Sequence, residues 1–492
     1  MSKSTVMTER TQSGPRGLTT TASAALQRHY GGPIVGNHVP FIAVVIMTAV
    51  LGTLGYAMNH TSYLVWGAFW VAPTLLLLSL PIARRAAKLD GDRIGRIVLA
   101  AAAVKILVAP LGLYWMAFGI YASGADAARY HRAGELLAPL FRQGIYRDLG
   151  DVYGTRFIEI VTGQVYALIG TTSLGGFMVF SWLSFLGFYM FYRAFRTAYP
   201  EGDGRRYALL IFFFPTLLFW PSGIGKDAFM VLSLGGAALG AAQLLVGRFR
   251  GLVWLAFGLA GAAVVRPHMA LIVGAGLIVA APLALLRGGA HGGGQRWRGR
   301  LGSAALILAL LVGGSALITV AENFFGMDSL NTQTAREQLD ETIRQSGYSG
   351  STFTSVSPNS PIGFALACMN VLFRPFPFEA HNLQAMLTSL EGVVLLGFIV
   401  VALRRLVRLP LELLRRPYVT FAFVYSAAFI YAFSSIVNFG ILARQRSQLL
   451  PVLFVVLCLR KPERSADAPG EDDIAEPVPA QPERIKVSAH LR

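Results

Sequence analysis

Side chains that could do chemistry gather in one polar stretch of an otherwise apolar chain, from Gly124 to Leu149. Asp126 stands near its beginning, and a carboxylate beside a low-dielectric boundary can be tuned to act as a general base or to hold a cation. Tyr130 and His131 follow within about two helical turns and are candidate substrate-binding or orienting residues. The competing interpretation is that Asp126 only caps the helix that begins AARYH. Asp126 is the candidate catalytic residue.

A second candidate lies in the segment SGIGKD, where Lys226 and Asp227 join two apolar segments with almost no loop. The glycines allow a sharp turn, and the helix that follows would present its positive end there, which favours an anion such as phosphate. The segment is not a Walker A loop, because Trp220 stands where that motif needs glycine and Asp227 where it needs Ser or Thr. The alternative is a capped helix start whose lysine extends to the membrane surface.

Four arginines lie in apolar surroundings on the side of the chain that is otherwise poor in arginine: Arg266, Arg374, Arg444 and Arg446. Cations at membrane depth are costly unless an anion pairs with them. Phosphate is the anion that guanidinium geometry suits best. These arginines and Lys226 are therefore the predicted donor phosphate-binding residues.

Three further residues are predicted to orient those cations or to bind substrate, namely Asp227, His268 and Glu379. The alternative is that the cations pair with neighbouring acids, including Asp126 and Glu391, and that the set is purely structural. Both interpretations place the same residues close together. The sequence alone leaves the choice between them open.

The elements that must position these residues are membrane-length apolar segments. The chain has 492 residues, of which 54% are hydrophobic and only 14% are charged, whereas soluble proteins carry about 25% charged residues. This composition predicts an all-α polytopic membrane protein with about twelve transmembrane helices. The predicted spans are 39–58, 62–82, 94–120, 174–192, 207–221, 227–246, 252–265, 268–286, 301–320, 386–403, 418–436 and 447–459.

The distribution of basic residues predicts the orientation of these spans. With the N-terminus inside, the inner segments hold 29 of the 43 Lys and Arg residues and the outer segments hold 12. The positive-inside rule then places both termini in the cytoplasm. The net charge of +17 is explained by topology and not by nucleic acid. Lys105 lies mid-span, where it either faces the interior of the bundle or extends to the inner face.

Three regions follow from this topology. Residues 1–38 are predicted to be a disordered cytoplasmic segment, 39–460 the membrane domain, and 461–492 a Pro-rich, acidic cytoplasmic tail without fixed structure. The outer loops 121–173 and 321–385 carry the varied chemistry. The first should contain an amphipathic surface helix, with Leu136, Leu137, Leu140 and Phe141 on its apolar side. The second returns through a segment around IGFALACMNVLF that should lie on or dip into the membrane.

Taken in order, these pieces resemble the polytopic glycosyltransferases of the GT-C superfamily. In that group an acid in the first large outer loop precedes an amphipathic helix, as Asp126 precedes YHRAGELLAPLFRQGIY here. A Pro-ended span with a small-residue acidic turn follows, similar to FFFPTLLFWPSGIGKDAF. An Arg-Pro turn in VVRPHMALIV and a late basic turn in ARQRSQLLPVLFVVL complete the likeness, which covers about residues 94–460. The usual acidic pair of the first loop is a single aspartate here.

The resemblance implies transfer of a sugar from a polyprenyl-phosphate donor to a glycan, lipid or protein acceptor on the outer face of the cytoplasmic membrane. Asp126 would deprotonate the acceptor hydroxyl, giving inversion. Lys226, Arg266, Arg444 and Arg446 would stabilise the departing phosphate. No soluble cofactor is implied, and a divalent cation stays open because metal dependence varies within the family.

Two rival functions remain. An O-antigen-type polysaccharide polymerase also has many spans and outer arginines, and it would depend more on those arginines than on Asp126. A transporter or lipid flippase is the second rival. Against it, the polar residues gather at one face and not at the midplane, and no inverted repeat is evident.

Overall fold

The computed structural model describes residues 38–121, 125–147, 149–287 and 356–459, together with residue 353 and scattered positions between 304 and 322. Helices dominate this part of the chain, and no β-strand occurs in it. In chain order the helices are α1 His38–His60, α2 Tyr63–Asp90, α3 Asp92–Ile120, α4 Asp126–Arg142, α5 Gly154–Ile169, α6 Ser173–Ala198, α7 Gly204–Phe213, α8 Pro215–Phe219, α9 Lys226–Leu245, α10 Gly251–Val265, α11 Pro267–Arg287, α12 Pro361–Phe373, α13 Leu383–Leu406, α14 Leu409–Arg415, α15 Pro417–Phe433 and α16 Phe439–Leu457.

Within the described residues, seven helices are long and apolar enough to cross a membrane: α2, α3, α6, α9, α11, α13 and α16. Helices α10, α12 and α15 are also apolar but shorter. The expected class, an all-helical polytopic membrane protein, is confirmed at this level. Each of the seven helices overlaps one of the predicted spans.

The prediction of twelve spans is met only in part. The predicted span 207–221 is divided into α7 and α8 at Phe214, because a residue that precedes proline is disfavoured in the α conformation. The last helix begins at Phe439 and not at 447. The N-terminal segment before 38, most of span 301–320, residues 323–352 of the second outer loop, and the tail from 460 lie outside the described residues.

The centre of the bundle is α9, which packs against α6 and α10. Its close approach to α6 depends on two glycines. A Cβ atom at Gly187 would lie 2.4 Å from the carbonyl oxygen of Val231, and one at Gly235 would lie 2.3 Å from the carbonyl oxygen of Gly187. Small residues at such crossings let helix backbones meet directly, which is how membrane helices gain packing energy. This packing fixes the position at which α9 begins.

The amphipathic helix expected in the first outer loop is α4, and it packs against α5 and not only on a surface. Leu137 and Phe141 are buried against α5, as is Gly134, where a Cβ would lie 2.6 Å from the Thr162 side chain. Leu136 was expected on the same apolar side, but it is 75% exposed. The side of α4 that contacts the rest of the protein therefore carries Leu137 and Phe141 together with Tyr130 and His131.

One end of the bundle is held by ion pairs between segments that were predicted to lie inside. Asp90, at the end of α2, accepts hydrogen bonds from Arg193 at 2.8 Å and Arg196 at 2.9 Å, both on the last turns of α6. Asp203 is 2.9 Å from Arg405 at the end of α13. We call this set the Asp90 end.

The Asp90 end and the Asp126 region lie at opposite ends of the same helices. Helix α3 runs for 29 residues between them, a rise of about 43 Å at 1.5 Å per residue. Arg405 donates to the carbonyl oxygen of Leu459, just past the end of α16, whereas Arg444 lies near the start of that helix. The alternation of predicted inner and outer loops thus agrees with the two ends of the bundle.

Candidate functional site

Asp126 is the first residue of α4. The N-cap position belongs to Ala125, so Asp126 is not the capping residue of the helix. Instead, Asp126 Oδ2 accepts a hydrogen bond from Arg444 Nη1 at 3.2 Å. The Asp126 side chain is 63% exposed, while that of Arg444 is 28% exposed. Asp126 is therefore an accessible carboxylate held at one point by a guanidinium group.

Asp227 is the second residue of α9 and is buried, with only 4% of its side chain exposed. It accepts a hydrogen bond from Arg266 Nη1 at 3.0 Å through Oδ1 and one from Arg444 Nε through Oδ2. Two guanidinium groups and the positive end of α9 together stabilise this buried negative charge. Asp227 thus joins three parts of the chain that are far apart in sequence.

Arg266 occupies the turn between α10 and α11 that the sequence marks with Arg-Pro. Besides Asp227, its Nη1 donates to Gln445 Oε1 at 3.0 Å. Gln445 also accepts from Gln448 Nε2 at 2.6 Å, one helical turn further along α16. Gln445, which lies between Arg444 and Arg446, was not among the predicted site residues. Gln445 is therefore a further polar residue of the site, in contact with Arg266.

Arg444 connects the two acids, and it does so from within a helix. The predicted outer turn NFGILARQR is instead the first part of α16, because Asn438 caps the helix through a hydrogen bond from Ile441 N to Asn438 Oδ1 at 3.0 Å. Successive helical residues are rotated by about 100°. Arg444 consequently reaches the acids while Arg446 points elsewhere.

The cluster carries more positive than negative charge. Lys226, half-buried at the start of α9, interacts electrostatically with Asp126, Asp227, Arg266 and Arg444. It forms no ion pair within the described residues. Two carboxylates therefore face three cationic side chains, leaving one net positive charge. We call these five residues the Asp126 cluster.

A cleft of about 70 Å³ lies against the Asp126 cluster. Asp126, Asp227 and Arg444 contribute to its wall, as do the glycine-rich turn before α9 and Trp220. Tyr130 is buried beside Arg444 and the Gly225 turn. Burial and the nearby charge of Asp126 raise the pKa of Tyr130 to about 12, so its phenol stays protonated at neutral pH.

His131 turns away from the cluster into the α4–α5 contact. Its Nδ1 lies 2.8 Å from the Tyr166 hydroxyl, and its ring meets Phe118 edge-on with centroids 5.9 Å apart. Burial lowers the pKa of His131 below its usual value, so the imidazole is neutral at physiological pH. In this position His131 orients α4 and does not contact the cleft.

Arg374 and Glu379 are not brought to the Asp126 cluster, whereas His268 lies close enough to interact electrostatically with Arg266 and Lys226. Arg374 pairs locally with Glu379 at 3.0 Å and lies over the ring of Phe353, 4.4 Å from its centroid. His268 packs on α11 against Phe433, with ring centroids 5.8 Å apart. Arg374, Glu379 and His268 do not line the cleft that Asp126 lines.

Arg446 is buried in the interior, only 2% exposed, and its Nε donates to the carbonyl oxygen of Val371 at 2.8 Å. The nearest acid in electrostatic terms is Glu391, whose carboxylate accepts from the backbone and hydroxyl of Thr216 at 3.1 and 2.8 Å. This group ties α8, α12, α13 and α16 together. Arg446 therefore holds the α16 scaffold from which Arg444 extends.

Lys105 faces the interior of the bundle and reaches the turn that precedes the cluster. It lies in a π-helical segment of α3, is 1% exposed, and donates to Ser222 Oγ at 2.8 Å and to the Leu218 carbonyl at 3.2 Å. Phe188 lies beneath the ammonium group at 5.1 Å. Lys105 thereby anchors the segment that leads directly into Lys226 and Asp227.

Among the described residues, no group of three or more His, Cys, Asp or Glu side chains is arranged to hold a metal ion. The two carboxylates of the Asp126 cluster both contact Arg444. The carboxylates of the cluster are thus paired with guanidinium groups. No model of a known protein family matches the chain, and no curated protein or solved structure matches it either.

Proposed function

We propose that this chain is a membrane glycosyltransferase that moves a sugar from a polyprenyl-phosphate donor to a cell-envelope acceptor at the end of the bundle that holds the Asp126 cluster. The observation that carries the proposal is the contact of Asp126 with Arg444 beside the cleft. It joins residues from separate segments of the chain, both of which the sequence predicts to take part in this chemistry. An accessible acid beside a surplus of cations suits transfer from a phosphate.

In the proposed reaction Asp126 takes the proton of an acceptor hydroxyl as its oxygen attacks the anomeric carbon. The bond between that carbon and the phosphate oxygen breaks, and the lipid phosphate leaves with the bonding electrons. Attack from the face opposite the leaving group inverts the anomeric centre. The 63% exposure of Asp126 lets an acceptor approach it, and Arg444 holds the carboxylate in one orientation.

The net charge of the cluster supports a phosphate-linked donor. As the phosphate leaves, negative charge grows on its oxygens, and preorganised cations in a water-poor site stabilise that charge most effectively. Lys226 is the cation of the cluster that lacks an ion pair among the described residues, so it is the first candidate to meet the phosphate. Arg444 and Arg266 would then contribute through their field while Asp227 keeps them in place.

The test is transfer of labelled sugar from polyprenyl-phosphate donors to endogenous acceptors in membranes, comparing the wild-type chain with Asp126→Asn at equal expression. A matched control is Asp151→Asn, an exposed acid of the same outer segment outside the cluster. We expect transfer to fall by a factor of about 10² to 10⁴ in Asp126→Asn and to stay unchanged in Asp151→Asn. Full transfer by Asp126→Asn would contradict the assignment of the base.

The same assay separates the rival functions. A polymerase that depends on the arginines would lose activity in Arg444→Gln while Asp126→Asn kept it, and its product would grow by repeat units and not by single sugars. Consumption of no donor by the wild-type chain would favour a transporter or flippase. Arg444 contacts both acids, so only the pair of variants, and not Arg444→Gln alone, distinguishes these outcomes.

A further inference from the structure

A second cavity lies beside the Asp126 cluster and is larger than its cleft. Its volume is about 230 Å³, and it is formed between the first turns of α13 and α16, the end of α3 and the segment after α12. Pockets for drug-sized ligands span roughly 300–1,000 Å³, so this one suits a smaller molecule. None of the residues assigned to the proposed reaction lines it.

The polar side chains that line this cavity are all uncharged among the residues that the structure describes. They comprise two hydroxyls and three amides, from Tyr121, Thr388, Asn382, Gln384 and Asn438. Amides and hydroxyls both donate and accept hydrogen bonds, which is what a polyhydroxylated ligand requires. The Tyr121 hydroxyl donates to Gln384 Oε1 at 2.9 Å, which leaves the Gln384 amino group as a donor. The ring of Phe439 supplies an apolar wall.

The lining residue Pro375 follows Arg374, which pairs with Glu379. Arg374 Nη2 and Glu379 Oε1 lie 3.0 Å apart, and neither residue lines the cavity among the described residues. A carboxylate or an ammonium group on a ligand would enter the cavity without a partner of opposite charge among the lining residues. Burying an unpaired charge costs far more than burying a hydroxyl that finds a hydrogen bond. The cavity therefore discriminates against charged ligands.

The cavity and the Asp126 cluster share helix α16, which contributes residues to both. Gly440 lines the cavity and Arg444 belongs to the cluster, and residues four apart lie on the same face of a helix. Ala443, which also lines the cavity, immediately precedes Arg444. A ligand in the cavity would thus lie one helical turn from the residue that holds Asp126.

We infer that this cavity binds one uncharged sugar ring, and that it selects neutral sugars over uronic acids and amino sugars. Its role in transfer rests on the proposed glycosyltransferase function, where it would be the sugar subsite next to the reacting centre. Binding itself can be measured without any transfer. The inference and the proposed function can therefore fail separately.

The experiment uses the full-length chain purified in a detergent whose head group carries no sugar. Saturation-transfer difference NMR is recorded with the neutral methyl glycosides of glucose, galactose, mannose and N-acetylglucosamine, and with methyl glucuronide and methyl glucosaminide as charged probes. Gly440→Leu fills the cavity, since a Cβ there meets only Asn438 Oδ1, at 3.4 Å. Gly397→Leu is the matched control, because Gly397 lies on the exposed face of α13 with nothing within 4 Å.

We expect at least one neutral glycoside to give a signal that is lost in Gly440→Leu and retained in Gly397→Leu, with no signal from either charged probe. Gln384→Leu should weaken the same signal without filling the cavity. The inference is overturned if no neutral glycoside binds, if Gly440→Leu binds as wild type does, or if a charged probe binds equally well. Binding that persists in a chain without transfer activity would refute the proposed function alone.

Discussion

Both ends of the bundle pair acids with arginines, but they treat the charges differently. At the Asp90 end the arginines also donate to backbone carbonyls, as Arg196 does to Pro200 at 2.8 Å and Arg405 to Leu459 at 3.0 Å. At the other end Arg444 contacts two acids, one of them 63% exposed. Its neighbour Lys226 has no ion pair among the described residues. The ion pairs of the Asp90 end hold neighbouring segments of the chain together, whereas the Asp126 cluster leaves charged side chains accessible.

The difference separates structural from functional ion pairs by their surroundings. A pair that satisfies every group holds segments in place and needs no further ligand. A cluster with a net charge, an exposed carboxylate and a cleft has capacity left for a substrate. Residue type alone would not distinguish the two ends, since both are built from aspartate and arginine.

The largest expected effect on stability comes from Asp227→Asn. Removing this buried acid leaves Arg266 without an ion pair and Arg444 with only the exposed Asp126, and breaking a buried pair costs about 3–5 kcal/mol. Thermal unfolding in detergent can be followed with a thiol-reactive dye, because Cys458 is fully buried in the folded chain. The unfolding temperature should fall sharply.

Asp90→Asn is the matched comparison for that variant. Asp90 also binds two arginines, which are 23% and 26% exposed and can be solvated by water after the acid is removed, whereas Arg266 at Asp227 is only 12% exposed. The loss of stability should therefore be smaller than for Asp227→Asn. Equal or larger destabilisation by Asp90→Asn would show that the burial of the arginines does not determine the cost of losing their acid.

A smaller effect, on transfer and not on stability, is expected for Lys105→Met. Replacing a buried charge by an apolar side chain of similar length is often neutral or stabilising. The turn that Lys105 holds through Ser222 would lose its anchor, and a misplacement of about 1 Å near a reacting centre can lower the rate up to about 100-fold. Transfer should fall while the unfolding temperature is maintained.

Lys105→Arg provides the control for this prediction, because it keeps a donor for Ser222 Oγ and the Leu218 carbonyl. It should retain more transfer than Lys105→Met if the anchor matters. If both variants transfer sugar at the wild-type rate, Lys105 does not position the turn for catalysis.

The smallest effect concerns pH. The pKa of His131 is lowered in the folded chain by burial, so the unfolded chain binds the extra proton more readily. The stability that the neutral imidazole contributes is fully present above the unfolded pKa of about 6.5, and it is lost as pH falls from there toward the lower folded pKa. The unfolding temperature of wild type should drop over this window.

His131→Gln removes the titrating group while keeping a side chain that can hydrogen-bond to the Tyr166 hydroxyl. The pH-dependent drop should be reduced in this variant. An identical drop in both chains would assign the pH response to other groups.

The helical membrane architecture could be predicted from the sequence because about twenty apolar residues in succession have few other uses. The sequence also predicted that charged residues would come together, because a charge at membrane depth is costly without an opposite charge beside it. These residues are Asp126, Asp227, Arg266 and Arg444. The residue at which α16 begins could not be predicted from the pattern of apolar spans. Asn438 three residues before Ile441 was an available capping signal that would have placed Arg444 and Arg446 inside a helix.

Other features depend on tertiary contacts that no local pattern encodes. Thr216 and Glu391 are 175 positions apart, yet they form the hydrogen bonds beside which Arg446 is buried. Gln445 acquires its role only because α16 turns it toward Arg266. The hydrogen bonds that a polar residue within a helix can form depend on which groups of the neighbouring helices lie beside it.

The most direct test of the central claim measures transfer and unfolding temperature on the same preparations of Asp126→Asn and Asp90→Asn. We predict that Asp126→Asn loses transfer with almost unchanged stability, since exposed ion pairs contribute about 0–1 kcal/mol. Asp90→Asn should lose stability while the folded fraction keeps its transfer activity. The opposite pattern, with Asp126→Asn active but unstable, would show that the Asp126 cluster is structural.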